Sequence, residues 1–264
     1  MKRSSGVRLS ATAVVSVLSL ALVTGCSGSG SDDTKDTGSG SGSGTQAAKA
    51  LSAAELGKRI LTTGDVEGYK VEPAEELAAG SKSDIEGDAK CLPLTYVIAG
   101  LAPGDAAAET NGRVTEEKKP TDAASQSLED LDEESFTNPL DTNLTLVTLS
   151  SYDGDGAERA MRTLSEAVSG CAGGFTATSE GEDMNISKVA SQQASGSGDE
   201  AVAFALTAEM DGAGEEPVTT KAQAVRHGTT IATYYTFNIA SIVSAEEQPD
   251  VPVALIDAQA AKLK

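Results

Sequence analysis

Three cysteines, one histidine and a short acidic turn are the side chains of this 264-residue sequence whose types and spacing could do chemistry. His227 is the single imidazole, so no histidine cluster can hold a metal, and a hydrolytic triad would depend on that one residue as its base. It stands beside Gly228 between two β-rich stretches, where an exposed hairpin turn is the simpler expectation. No Gly-x-Ser-x-Gly elbow, phosphate loop or zinc spacing occurs. No catalytic residue, metal ligand or cofactor is therefore assigned, and the chain is expected not to be an enzyme. Asp153-Gly154-Asp155-Gly156 alternates carboxylates with glycine but lacks the third acidic position and distal Glu of a helix-loop-helix calcium site. Asp153 or Asp155 as the N-cap of a following helix explains it more simply. Tyr234 and Tyr235 are the candidate ligand-binding residues, because neighbours on a strand face opposite sides and one can line a cleft while the other packs in the core.

Cys26 is approached by a basic start (Lys2, Arg3, Arg8), an apolar run from Ala11 to Val23, and the small residues Thr24 and Gly25. The basic and apolar parts are those of a secretory signal, and the run is short for a membrane span. Taken with the polar stretch that follows, Leu22-Val23-Thr24-Gly25-Cys26 resembles the lipobox of the bacterial lipoprotein family. The resemblance implies cleavage before Cys26, acylation of the cysteine with palmitate-type chains, and a protein held on the extracytoplasmic face of the cell membrane. Each buried CH₂ contributes about 0.8 kcal/mol, so the lipid would supply all the membrane affinity and the polypeptide need supply none. Residues 1–25 are read as the signal peptide, 26–46 as a Gly/Ser-rich flexible tether, and 47–264 as the extracytoplasmic domain. With Cys26 acylated, Cys91 and Cys171 remain, and in an oxidising compartment a disulfide between them is the default. The alternative is two separate buried thiols.

Electrostatics narrows the partners. The formal charge of −20 becomes −23 once the three basic residues of the signal are gone. A surface of that sign repels nucleic acid and anionic headgroups, both of which need Lys and Arg against phosphate. The acidic run at residues 129–134 is read as a solvated loop. With no Trp, four Phe and five Tyr, the core must be built from Val, Leu, Ile and Ala. This composition resembles that of high-GC actinobacterial proteins.

The elements that must position these residues follow from periodicity. Ser52 and Glu55 make a capping box for a helix reaching about Leu61, with Leu51 stapled to Leu56. Gly68 to Val71 is a short extended piece, and the apolar run Cys91 to Leu101 is read as a helix starting at Pro93, a buried strand being the alternative. Residues 103–134 are expected to form a long loop that returns as a sheet edge near Gly112-Arg113-Val114. Asn143 to Tyr152 alternates apolar and hydroxyl residues as a strand does. Ala157, Ala160, Met161, Leu164, Ala167, Val168 and Cys171 recur at helical steps, and Gly170, Gly173 and Gly174 end that helix. Strands are expected at 184–190, 201–210, 218–226 and 229–239, forming a meander, and a closing helix over 252–264 turns Val253, Ile256, Ala260 and Leu263 inward.

The sum is an α+β fold, an antiparallel meander with helices packed on one face. The order of Leu144 to Tyr152, Ala157 to Cys171 and the hairpin Val225-Arg226-His227-Gly228-Thr229-Thr230-Ile231-Ala232 resembles the PknH-like extracellular sensor domain of actinobacterial serine/threonine kinases, which also occurs on lipoproteins. The resemblance implies a twisted sheet with flanking helices, disulfide stapling and a cleft for an unidentified ligand. That family has two disulfides where this chain can form one. The expected role is a lipid-anchored binding module of the cell envelope, sensing a small ligand or contacting an envelope protein. A carrier of lipid or another apolar ligand, and a structural or assembly lipoprotein, are the alternatives.

Overall fold

The sheet is built from strands rich in small hydroxyl and apolar side chains, and its both-sided burial follows from where the helices fall. The structure, a computed structural model, describes residues 48–74, 80–117, 141–179, 181–209, 217–243 and 247–264. The expected signal peptide and tether, Cys26 among them, and the acidic run at 129–134 lie outside the described residues. Thr45–Lys264 forms one compact unit.

In chain order the elements are α1 (Ala53–Arg59), β1 (Tyr69–Pro73), a 3-10 turn (Lys82–Asp84), β2 (Ile85–Gly87), α2 (Leu92–Ile98) and β3 (Ala108–Glu116). Then come β4 (Asn143–Ser151), α3 (Gly156–Gly170), β5 (Phe175–Ser179), β6 (Glu182–Gln192) and β7 (Glu200–Glu209). β8 (Val218–His227), β9 (Thr230–Asn238), α4 (Ile239–Val243) and α5 (Val253–Leu263) complete the chain. The nine strands form one sheet in the order β1-β3-β4-β9-β8-β7-β6-β5-β2, and every pairing is antiparallel. The class is α+β, and the expected meander is the run β9-β8-β7-β6.

The helices divide between the two faces instead of sharing one. On the first face α2 and α3 pack over Phe204, Leu206, Ala222, Ala224 and Ile231. On the second, α1 and α5 cover Val147, Leu149, Val225, Ala232 and Tyr234. Adjacent residues such as Ala224 and Val225, or Ile231 and Ala232, point to opposite faces and are both buried, so the strand interiors read as near-continuous apolar runs. The hydroxyls of β4 are therefore buried too, and each finds a partner: Thr145 with the Thr236 hydroxyl at 2.9 Å, Thr148 donating to Gly100 O at 2.9 Å, and Ser150 with the Tyr152 hydroxyl at 3.1 Å.

The helix ends match their sequence signals closely in one case and not in others. Ser52 and Glu55 form the capping box of α1, with Ser52 N–H donating to Glu55 Oε2 at 2.8 Å. The six expected apolar residues from Ala157 to Val168 are the buried face of α3. Asp155 stands at the N-cap of that helix, but its carboxylate pairs with Arg159 instead of capping. Asp153 serves a different purpose: its Oδ1 accepts from Ala50 N–H at 2.9 Å, Gly154 N–H donates to Ala48 O at 2.8 Å, and Ser151 Oγ accepts from Leu51 N–H at 3.0 Å. The first described residues are thus fastened to the C-terminal end of β4. In α5 the inward face is Leu255, Ile256, Gln259 and Ala260, while Val253 is 48% exposed, contrary to expectation. Gln259 is buried because it closes α1, accepting from Leu61 N–H at 3.0 Å and donating to Arg59 O at 2.8 Å.

Candidate functional site

Cys91 and Cys171 form a disulfide that joins the start of α2 to the end of α3. Both cysteines are 2% exposed and belong to the core of the first face. Between them the two helices cover the sheet over Phe204, Ala222 and Ala224; beyond, towards the Asn238 end of β9, the sheet is met by Ile98 at the end of α2 and by the short helix α4. A cavity of about 610 Å³ occupies that place.

Its floor is made by register. Leu206 pairs with Thr220, Ala208 with both Val218 and Ile186, and Ala222 with Tyr235, so these side chains share one face. Leu206, Ala208, Val218, Thr220 and Tyr235 all line the space. Ile98, the last residue of α2, and Ile242 of α4 form walls, and Met184 and Ile186 of β6 close a third side. The bridge therefore matters to the site, since it holds the helix whose far end is Ile98.

α4 is held by one buried asparagine. Asn238 Oδ1 accepts from Ser241 N–H at 3.1 Å, its own N–H donates to Gln248 Oε1 at 2.7 Å, and its Nδ2 donates to Asn143 Oδ1 at 2.9 Å. These contacts set Ile242 against the end of β9. Nothing in the sequence pattern marks Asn238, because a polar residue at a strand end reads as an ordinary turn.

The two candidate tyrosines part as adjacent strand residues must. Tyr235 lines the cavity, half-buried, with its hydroxyl bonded to Thr220 and its ring stacked on Phe237 at 5.3 Å between centroids. Burial holds its phenol above the usual range, with the Thr220 bond opposing. Tyr234 is fully buried in the core of the second face, away from the cavity, and its hydroxyl has no partner among the described residues.

The lining also includes polar residues. Glu182, Asp183, Asn185 and Glu209 are among them, and register puts Asp183, Asn185 and Glu209 on the face of the strands opposite Ile186 and Ala208. Asn185 Nδ2 donates to Glu209 Oε2 at 2.5 Å, and the Thr178 hydroxyl donates to Asp183 Oδ1 at 2.7 Å. Two further spaces differ in character. One of about 260 Å³ lies beside Gln223, whose amide is engaged with Ser195, and Lys221, which is paired with Asp250 at 2.7 Å. A groove of about 600 Å³ runs along the C-terminal half of α3 past Ser165, Ser169 and Ser191.

His227 is the last residue of β8, at the opposite end of that strand from Val218 and the cavity. It is half-buried instead of exposed, because the Gly198 segment lies over it, and its Nε2 is buried with no partner among the described residues. Burial holds its pKa below the ordinary imidazole value; Asp199 opposes that, and Lys264 and Arg226 reinforce it. The folded state thus favours neutral His227. That contribution is present above pH about 6.5 and is lost as the pH falls through the depressed folded value. As the single histidine, it owns the window between pH 7 and 5. Urea midpoints are expected to fall from pH 7.5 to 5.5 in the native chain and to stay level in His227→Gln; an equal fall in both would show that another group is responsible.

No protein-family model matches the chain, and no curated protein matches it in sequence. Among solved structures, it is similar to the crystal structure of the extracellular domain of PknH from Mycobacterium tuberculosis. The two are 11% identical, the match covers 81% of this chain and 95% of that one, and the TM-score is 0.45. A likeness at that level carries no statement about what this chain binds.

Proposed function

We propose that this chain is a lipid-anchored, extracytoplasmic binding module that works without catalysis, sensing or presenting a small ligand held in the cavity between α2, α4 and the meander. The observation that carries the reading is the cavity itself. At about 610 Å³ it is within the range that small-molecule sites occupy, and it combines an apolar floor with a few polar residues in its lining, Thr220 and Glu182 among them. The one imidazole is at the far end of β8, out of reach of a ligand on that floor. The pattern around Cys26 supports the anchor, and the acidic charge supports a soluble domain that stands clear of anionic headgroups.

The apolar floor also favours the carrier reading, in which the cavity takes an apolar molecule for transfer. Native mass spectrometry of the whole chain from its own host, before and after denaturation, tests both. A non-covalent species that departs on unfolding, and that is missing from Ala208→Phe, is the expected result. The polarity of that species separates sensing from carriage. Bare protein in both spectra would overturn the small-ligand reading and leave an envelope protein as the partner.

A further inference from the structure

We infer that the part of the ligand seated in the cavity is an aliphatic chain, carried on an uncharged head group, a step that rests on the binding reading above. Ile186, Leu206, Ala208 and Val218 share the floor, and Ile98 and Ile242 form walls from α2 and α4. Such side chains meet a run of CH₂ groups with dispersion contacts along its whole length. The two hydroxyls on the floor answer each other, since Tyr235 is bonded to Thr220. A polar group of the ligand would give up water there for partners already engaged, a loss that a hydrocarbon segment avoids. Tyr235 is the single aromatic residue among the described residues of the lining, and its ring is stacked on Phe237. A planar aromatic ligand would therefore find no pair of rings to lie between.

The head group follows from charge. No Lys, Arg or His is among the described residues of the lining, so a carboxylate or phosphate has no cation to pair with. The formal charge of the whole chain, −20, opposes an anion's approach. Nor is there an acidic ring to select a cation: Asp183 and Glu209 are on the other face of the strands, and alternation leaves Glu182 as the single carboxylate of the lining on this one. One exposed carboxylate, screened by water and salt, discriminates weakly. The cavity is partly open, so a head group can stay in water while its chain lies on the floor. An acyl chain can arrive as a free carboxylate or esterified to a neutral head, and the charges favour the second.

The test titrates monohexanoin, monooctanoin and monodecanoin, and the matching hexanoate, octanoate and decanoate, below their micellar concentrations into the purified whole chain by calorimetry. Each added CH₂ is expected to tighten the glycerides about fourfold. Each carboxylate is expected to bind more weakly than its glyceride, by a margin that shrinks as salt is raised. Ala208→Phe, on the floor, and Ile242→Trp, on the α4 wall, each put a ring into the space and are expected to abolish the gain with chain length. Binding that both variants abolish but that changes less than about 1.5-fold per CH₂ would overturn the aliphatic class while the cavity kept its role. Carboxylates tighter than their glycerides would overturn the uncharged head. No binding of any probe would overturn the aliphatic class, and the native mass spectra would then decide whether another ligand fills the cavity. Binding that both variants leave intact would overturn the cavity as the site and this inference with it.

Discussion

Replacing Cys91 and Cys171 together by serine is expected to remove about 4.5 kcal/mol of stability, because the bridge closes a loop with a sequence separation of 80 in the unfolded chain. Domains of this size are stable by about 5–15 kcal/mol, so the loss is a large share of the whole. The urea midpoint of the double variant, and of the native chain with reductant, should fall together. The cavity should suffer as well, since α2 is then held over the sheet by packing alone and Ile98 is at its free end. A midpoint shift worth less than about 1 kcal/mol would mean that Leu94 and Val97 suffice to hold α2 and that the chain-entropy argument fails here.

Gly174→Ala is expected to cost about 3 kcal/mol or more, for two independent reasons. The residue has φ of +90°, where a side chain is strained by roughly 1–2 kcal/mol, and a Cβ there would press on Ile186 O and lie 2.8 Å from Ser187 O. Both obstacles are backbone, in the stretch where β6 shifts register between Ile186 and Lys188, so neither can rotate away. Gly181 is the internal control: φ is +85° but nothing lies within 4 Å of the added carbon. Gly181→Ala should therefore cost only about 1 kcal/mol. Denaturation midpoints of the two variants decide the matter, and equal losses would show that conformation, and not the close approach to β6, governs Gly174.

The elements most legible in the sequence are those whose side chains alternate or recur against a single environment. α3 announces itself through Ala157 to Val168, α1 through Ser52 and Glu55, and β4 through its hydroxyl and apolar alternation. β3 was hidden for a physical reason. Glu109 to Glu116 holds a single bulky apolar side chain, Val114, buried in the second-face core, and the strand is otherwise stabilised sideways, by Arg113 to Glu72 at 2.8 Å and by Asn143 to Glu116 at 2.6 Å. What reads as an edge returning from a loop is a nine-residue strand one place inside the sheet. β2 and β5, three and five residues long, are too short for a period-two pattern to stand out. The division of the helices was readable in principle from pairs such as Ala224-Val225 and Tyr234-Tyr235, where both neighbours are apolar or aromatic. Strand alternation could say that the two tyrosines part company, but not which of them meets open space. The cavity exists where helical cover stops short of the sheet, which is a property of packing and not of any one segment.

The fastening of residues 48–51 to the end of β4 also sets a polarity for the molecule. Ser151 pairs with Thr230 at one end of β9, and Asn143 pairs with Asn238 at the other, beside α4 and the cavity. Eight steps of about 3.3 Å along the nine residues put about 26 Å between those ends. The chain therefore enters the described domain at the end of the sheet opposite the cavity, so whatever reaches the cavity from the Asn238 end arrives clear of residues 48–51.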